Sequence, residues 1–177
     1  MRKLSLITII VFFTTFNFII NARQVESFGY WVKGNTVYYT DLEIIDADPD
    51  SFENIPSSYL YGKDKNSVYF WGSKIPDADP KTFKYLAKYY FSDKNSVYFL
   101  STKILGADLE TFKVLELYYS LDKDSVFYKE TKIDGADPKT FNYIDDKNFF
   151  DKNFKYKILY STQFGAYEYI IDKTPLN

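Results

Sequence analysis

The chain has 177 residues, 46% of them hydrophobic and 26% charged, with 22 basic against 24 acidic side chains. That balance suits one folded domain and leaves no room for two generous ones. The absence of both His and Cys removes Cys/His zinc sites, Ser-His-Asp and Cys-His nucleophilic machinery, thiol redox chemistry and disulfides. A formal charge of −2 argues against a phosphate-tracking nucleic-acid binder, which needs a concentrated basic surface. Aromatic residues make up 21% of the chain, an unusual share that any account of it must place.

Met1-Arg2-Lys3 precedes an apolar run from Leu4 to Ile20, followed by Asn21-Ala22-Arg23. A basic start, an apolar stretch and a small residue at a cut site are the three parts of a secretory signal. Residues 1–22 therefore read as a signal peptide and 23–177 as a single repeat domain bound for periplasm, cell surface or medium. An uncleaved N-terminal anchor is the alternative. Thr14, Thr15 and Asn17 interrupt the run, and a spanning helix wants about 20 apolar residues in a row. No second apolar segment follows, so no membrane span is expected in the mature chain.

The rest of the sequence is organised as a repeat. Asp64-Lys65-Asn66-Ser67-Val68-Tyr69-Phe70 recurs as Asp93-Lys94-Asn95-Ser96-Val97-Tyr98-Phe99 and as Asp122-Lys123-Asp124-Ser125-Val126-Phe127-Tyr128. Val68, Val97 and Val126 stand 29 residues apart; Val37 lies 31 before Val68, and Asp151 lies 29 after Asp122. Copies begin near Tyr30, Tyr61, Tyr90 and Tyr119, with a partial one near residue 148. A fixed period of this length means that each unit buries its apolar face only by stacking on its neighbours.

Within each copy, the Asp-Lys-Asn triplet between aromatic and β-branched runs predicts a hairpin. Asp accepts from turn amides, and Asn tolerates the left-handed conformation that a type I turn with a bulge requires. The Val-Tyr-Phe run that follows predicts a strand with large side chains on both faces, each meeting another layer. A short segment then leads past Ile44, Ile75, Ile104 or Ile133 to a second motif, centred on Asp48, Asp79, Asp108 and Asp137. Three of these are followed by Pro, which predicts a helix N-cap with Pro at the first helical position. Phe52, Phe83, Phe112 and Phe141 follow, then Ile55, Leu86, Leu115 and Ile144 three residues on, predicting one or two helical turns. The expected fold is mainly β: a tandem array of hairpins, each followed by a short helical turn.

The recurring Asp-Lys-Asn with Val-Tyr-Phe resembles the DKNYY repeat family, over roughly Tyr30 to Tyr160. That resemblance implies a bacterial, often exported repeat protein with no assigned activity. Lys33-Gly34-Asn35 in the first copy and Asp124 in the copy beginning near Tyr119 depart from the motif.

Residues that could carry chemistry are few. Asp46, Asp48 and Asp50 alternate as in a calcium loop. Counting from Asp46, however, Ser51 stands where Gly is needed and Ser57 where a bidentate Glu should be. No metal and no cofactor are therefore expected, and the repeated Asp are read as caps and turns. A catalytic carboxylate pair is normally singular, and the non-repeated Glu43, Glu116, Glu130 and Glu168 have neighbours typical of solvated faces. Catalytic residues are accordingly not assigned. Aromatics in register (Tyr30, Tyr61, Tyr90 and Tyr119; Phe52, Phe83, Phe112 and Phe141) read as core columns.

Two tryptophans break register. Trp71 takes a position held by Thr40, Leu100 and Lys129 elsewhere, and Trp31 one held by Gly62, Phe91 and Ser120. Both are candidate exposed binding residues. The leading functional expectation is an exported, non-catalytic interaction module whose partner is an unknown envelope protein or glycan. A carbohydrate-active enzyme or glycan-binding protein using aromatic platforms and carboxylates is the alternative, and a calcium-stabilised spacer a third.

Overall fold

The structure is a computed structural model that describes residues 29–56, 58–116, 118–163 and 166–176. The expected signal peptide lies outside the described residues. Nineteen strands form five small antiparallel sheets, each a meander in chain order. The first sheet holds β1 (Tyr30–Lys33), β2 (Thr36–Tyr39) and β3 (Leu42–Glu43). The second runs β4 (Glu53–Asn54), β5 (Tyr61–Lys63), β6 (Val68–Phe70), β7 (Ser73–Lys74). The third repeats it as β8 (Lys84–Ala87), β9 (Tyr90–Ser92), β10 (Val97–Phe99), β11 (Thr102–Lys103). The fourth does so as β12 (Lys113–Glu116), β13 (Tyr119–Leu121), β14 (Val126–Tyr128), β15 (Thr131–Lys132). The fifth starts alike with β16 (Asn142–Tyr143) and β17 (Asn148–Phe150), then ends in a long hairpin of β18 (Phe154–Gln163) and β19 (Ala166–Pro175).

In the second, third and fourth sheets the strand after the Asp-Lys-Asn or Asp-Lys-Asp turn is buried on both faces, as its pattern predicts, whereas in β18 Lys155 and Lys157 are exposed. Val68, Tyr69, Val97, Tyr98, Val126, Phe127 and Tyr128 are all 0% exposed. Tyr61, Val68 and Ile75 of the second sheet share a cluster with Ala78, Phe83 and, from the third sheet, Phe91 and Tyr98. The same pattern joins Tyr30, Val37 and Ile44 to Tyr69. It joins Tyr90, Val97 and Ile104 to Phe127, and Tyr119, Val126 and Ile133 to Phe149 and Tyr156. Each of the first four sheets thus offers a Tyr-Val-Ile face to the next, which meets it with one or two aromatic rings. No sheet this small could bury that area alone.

The expected helical turns are absent: the described residues contain strands and turns only. The capping chemistry is nevertheless present. The Asp79 carboxylate accepts from the Lys81 amide at 2.8 Å, and Asp137 does the same with Lys139 at 2.9 Å. In the second copy a single turn closes, Phe83 N donating to Asp79 O at 2.9 Å, and goes no further. Lys84 already belongs to β8, whose register pairs it with Ser92. A helix nucleus of one turn is unfavourable, and the residues that would extend it gain more by pairing as a strand.

The turn chemistry also differs from expectation. Lys63 pairs with Val68 across the hairpin, and Asp64 N donates to Ser67 O at 3.0 Å. None of the motif's Asn residues has a positive φ, so no left-handed Asn or bulge is needed. In the second copy left-handed residues stand instead at a second hairpin, between β6 and β7, where Trp71 and Gly72 have φ of 50° and 78°. Two central residues of positive φ make a type I′ turn, whose twist matches the flanking strands.

Candidate binding surface

The repeated acids come first, because their geometry decides whether they are available for chemistry. Asp64, Asp93, Asp122 and Asp151 are all buried. In Asp93 one oxygen accepts from Asn95 N at 2.7 Å and Ser96 N at 2.8 Å. The other accepts from the Tyr98 hydroxyl and from Asp79 N, both at 2.9 Å. Asp64 and Asp151 repeat all four bonds, with Tyr69 and Tyr156 as the hydroxyl donors.

The rest of each motif completes the clamp. Lys94 pairs with the Asp79 carboxylate, and the Lys94 amide donates to Thr82 Oγ1 at 3.0 Å. Lys123 bonds Asp108 at 2.6 Å and Lys152 pairs with Asp137 at 3.0 Å, while their amides donate to Thr111 and Thr140. The Asp-Lys-Asn turn and the Asp-Pro turn before it are therefore one unit. The buried Asp holds the earlier turn's amide, the Lys holds its carboxylate, and the Ser or Thr hydroxyl holds the Lys amide.

Electrostatics agree with that assignment. Burial pushes the Asp64 and Asp151 carboxyls up, but their hydrogen bonds outweigh it and leave both below the ordinary range. The Lys123 ammonium and Thr111 hold Asp108 at about 2. These groups stay ionised and fully partnered, which suits a brace and not a proton donor.

One copy is incomplete. Phe127 stands where Tyr69, Tyr98 and Tyr156 donate, so Asp122 receives no such hydroxyl. Restoring it with Phe127→Tyr should stabilise the fold by about 0.5–1.5 kcal/mol, the net worth of a buried hydrogen bond. A urea titration would register this as a raised midpoint at unchanged slope. An unchanged or lowered midpoint would mean that the fourth sheet has no space for the hydroxyl.

The variable position of the second hairpin is built quite differently. Thr40, Trp71, Leu100 and Lys129 share one backbone conformation, with φ of 53°, 50°, 51° and 54°. Their amides are pinned alike: Thr40 N to Gly29 O, Trp71 N to Leu60 O, Leu100 N to Tyr89 O and Lys129 N to Tyr118 O, at 2.6–3.0 Å. Each copy thus holds a different side chain at a first loop residue of the same φ, while the second loop residue is left-handed only at Gly72. Trp71 is 60% exposed, its ring lying parallel to Phe70 with centroids 5.4 Å apart.

Trp31 meets its expectation only in part. It is half-buried, its ring stacks on Tyr38 at 4.6 Å, and its Nε1 donates to Thr40 O at 2.7 Å. The column it belongs to is interior: Phe91 and Ser120 are buried, and a Cβ on Gly62 would meet the Phe52 ring at 2.4 Å. Variation there reflects packing. Trp31 and Trp71 are not in ring contact; each stacks on its own neighbour.

Lys129 adds a feature that sequence reasoning missed. Its ammonium lies 5.3 Å from the Tyr118 ring centre, 5.4 Å from Tyr128, 6.0 Å from Tyr160 and 5.1 Å from Tyr169. Tyr128 and Tyr160 share a hydroxyl contact of 2.6 Å, as do Thr131 and Tyr169. This cage fastens the terminal hairpin to the fourth sheet. Only the change to Lys in an otherwise Thr, Trp or Leu column could have signalled it.

Of the non-repeated acids, Glu43 is exposed on β3, Glu116 pairs with Lys88, and Glu130 lies 3.4 Å from the Tyr169 hydroxyl. Of Glu168 the structure gives the backbone pairing with Ser161. Asp48 of the calcium-like alternation is taken by Lys65 and by the Asp50 and Ser51 amides. Among the described residues no helix is long and apolar enough to cross a membrane.

No curated protein and no solved structure matches the chain. The sequence profile of the DKNYY family does, over residues 7–102, 30–157 and 90–175, three overlapping registers that a repeat produces. Together these span most of the sequence, and the clamp gives the Asp and Lys of the recurring motif a structural task. The chain belongs to the DKNYY family.

Proposed function

We propose that this protein is an exported, non-catalytic binding module that presents the exposed Trp71 of its second-hairpin column to an envelope protein or glycan. One observation carries the reading: the position that holds Thr40, Leu100 and Lys129 in other copies holds an exposed Trp71 in the second, on a loop whose amide is pinned. A scaffold that fixes the backbone and varies the side chain is built for presentation. The repeated carboxylates lend support, since both series are engaged in the clamp. The N-terminal sequence supports export. The flat Phe70–Trp71 pair favours a glycan over a protein, because a sugar ring stacks on such a platform.

The test is a pull-down of envelope fractions with the purified chain and a Trp71→Ala variant. Because Trp71 is largely exposed, the variant should fold within about 0.5 kcal/mol of the parent. A glycan or protein retained by the parent and weakened in the variant is the expected result. Equal retention by both, or a hydrolytic activity abolished by one acidic substitution, would overturn the reading.

A further inference from the structure

Between the fourth and fifth sheets lies a small cleft of about 150 Å³, lined by Glu116, Tyr118, Tyr119, Tyr143 and Asp146. Three of its five lining residues are tyrosines and the other two carry carboxylates. Tyr119 is buried and its hydroxyl donates to Asp146 O at 3.2 Å. Tyr143, 45% exposed, stacks on Tyr119 with centroids 6.2 Å apart. Glu116 arrives at a register shift in β12, a device that re-aims a side chain, and it pairs with Lys88. The Asp146 carboxylate makes no hydrogen bond or ion pair among the described residues.

We propose that this cleft binds an alkylammonium group, held against Tyr118 and Tyr143 above the buried Tyr119, with its charge met by Asp146. Aromatic faces attract cations through their negative quadrupole, and aromatic cages are the recurring solution for ammonium ligands. The Asp146 carboxylate in the lining disfavours anions, while the Glu116 charge is met by Lys88. The volume is below the roughly 300 Å³ at which sites for whole small molecules begin, so the cleft takes a headgroup. The protein already uses this chemistry next door: the Lys129 ammonium sits 5.3 Å from the centre of Tyr118, a ring that also lines the cleft.

The site is singular, unlike the clamp. Stepping back 29 residues from each lining position gives Ala87, Tyr89, Tyr90, Val114 and Leu117, which carry no carboxylate. A feature that appears in one copy alone is not demanded by the stacking of the repeat. The site is also separate from the Trp71 column, so failure of the pull-down leaves this proposal standing.

Titration of the purified chain, followed by the NMR shifts of its tyrosine rings, tests it with three probes. These are choline, Nα-acetyl-lysinamide, and 3,3-dimethylbutanol as the uncharged isostere of choline. Saturable shifts with an ammonium probe and none with the neutral isostere are expected. Tighter choline binding assigns the site to a methylated headgroup, and tighter lysinamide binding to a lysine of a partner protein. Tyr143→Ala and Asp146→Asn, both at exposed positions, should each weaken binding about three- to tenfold with unchanged circular dichroism. Equal binding of the neutral isostere, no saturation, or unaltered affinity in both variants would overturn the proposal.

Discussion

Asp93→Ala is expected to cost about 3–5 kcal/mol, as are the equivalent substitutions of Asp64 and Asp151, which make the same four bonds. Four donors converge on the Asp93 carboxylate: the Asn95, Ser96 and Asp79 amides and the Tyr98 hydroxyl. Alanine leaves them without an acceptor in a site that is 3% exposed. A buried donor without a partner costs about 1–3 kcal/mol, and partial access of water to the turn keeps the total below the full sum. Asp93→Asn should fall between parent and alanine variant, because its NH₂ group must face the Asp79 amide or the Tyr98 hydroxyl. Asp79→Ala, by contrast, removes a cap and an ion pair to an exposed lysine and should cost far less. Urea midpoints of the three variants provide the comparison. If Asp93→Ala proved as mild as Asp79→Ala, the clamp would not be what joins the two turns.

The second expectation concerns pH. The Asp64 and Asp151 carboxyls have folded-state values below the ordinary carboxylate range, as do Asp48, Asp79, Asp108 and Asp137 beside their lysines. An unfolded Asp titrates near 3.9. Stability from a depressed carboxyl is complete above that value and is lost as pH falls through the lower, folded one. The opposite holds for the tyrosines. Burial raises Tyr30, Tyr61, Tyr90 and Tyr119, and burial with the Asp93 bond pushes Tyr98 up to about 12. Their contribution is complete below the unfolded value near 10 and is lost above it. With no His in the chain, no side chain of ordinary pKa titrates in between. The melting temperature should therefore stay flat from about pH 5 to pH 9 and fall on both sides. A slope within that window would contradict the assignment. Asp64→Asn should flatten the acid limb specifically, since it removes one of the groups whose proton uptake drives it.

Much of this architecture was legible because the repeat aligned it. The Tyr30, Val37 and Ile44 columns fall in the core as their register implied, and so do the two-faced strands. The Asp-Lys-Asn turn was legible as a turn, but not the reason for its lysine. That reason lies in a carboxylate 15 to 17 residues earlier, as Lys94 with Asp79 shows, and local turn rules do not look so far. A signal existed: Ser51, Thr82, Thr111 and Thr140 recur three residues after each cap, too regular for a solvated position. The helical turns failed because cap chemistry is local while the choice between helix and strand is settled by what the next residues pair with. The second hairpin was invisible because Thr40-Asp41, Leu100-Ser101 and Lys129-Glu130 carry none of the Asn-Gly chemistry that usually announces such loops. Trp71 and Trp31 were picked out by the same observation, a variable column, and the structure places the first exposed and the second half-buried against Tyr38. The ammonium cleft was not legible at all, because it assembles from β12, β13, β16 and the β16–β17 loop, up to 30 residues apart.

The clamp has a kinetic side. The buried carboxylate and the amide it holds are 14 residues apart in three copies and 16 in the other. Closing so short a loop costs little chain entropy, and each closure sets the next Tyr-Val-Ile face in place for its successor. Contacts of low sequence separation form quickly, and a growing chain meets them from its N-terminus onward. Each unit can therefore brace itself as soon as it emerges, without waiting for the whole polypeptide. The terminal hairpin is the exception, since Tyr169 reaches back 38 residues to Thr131 and must dock last.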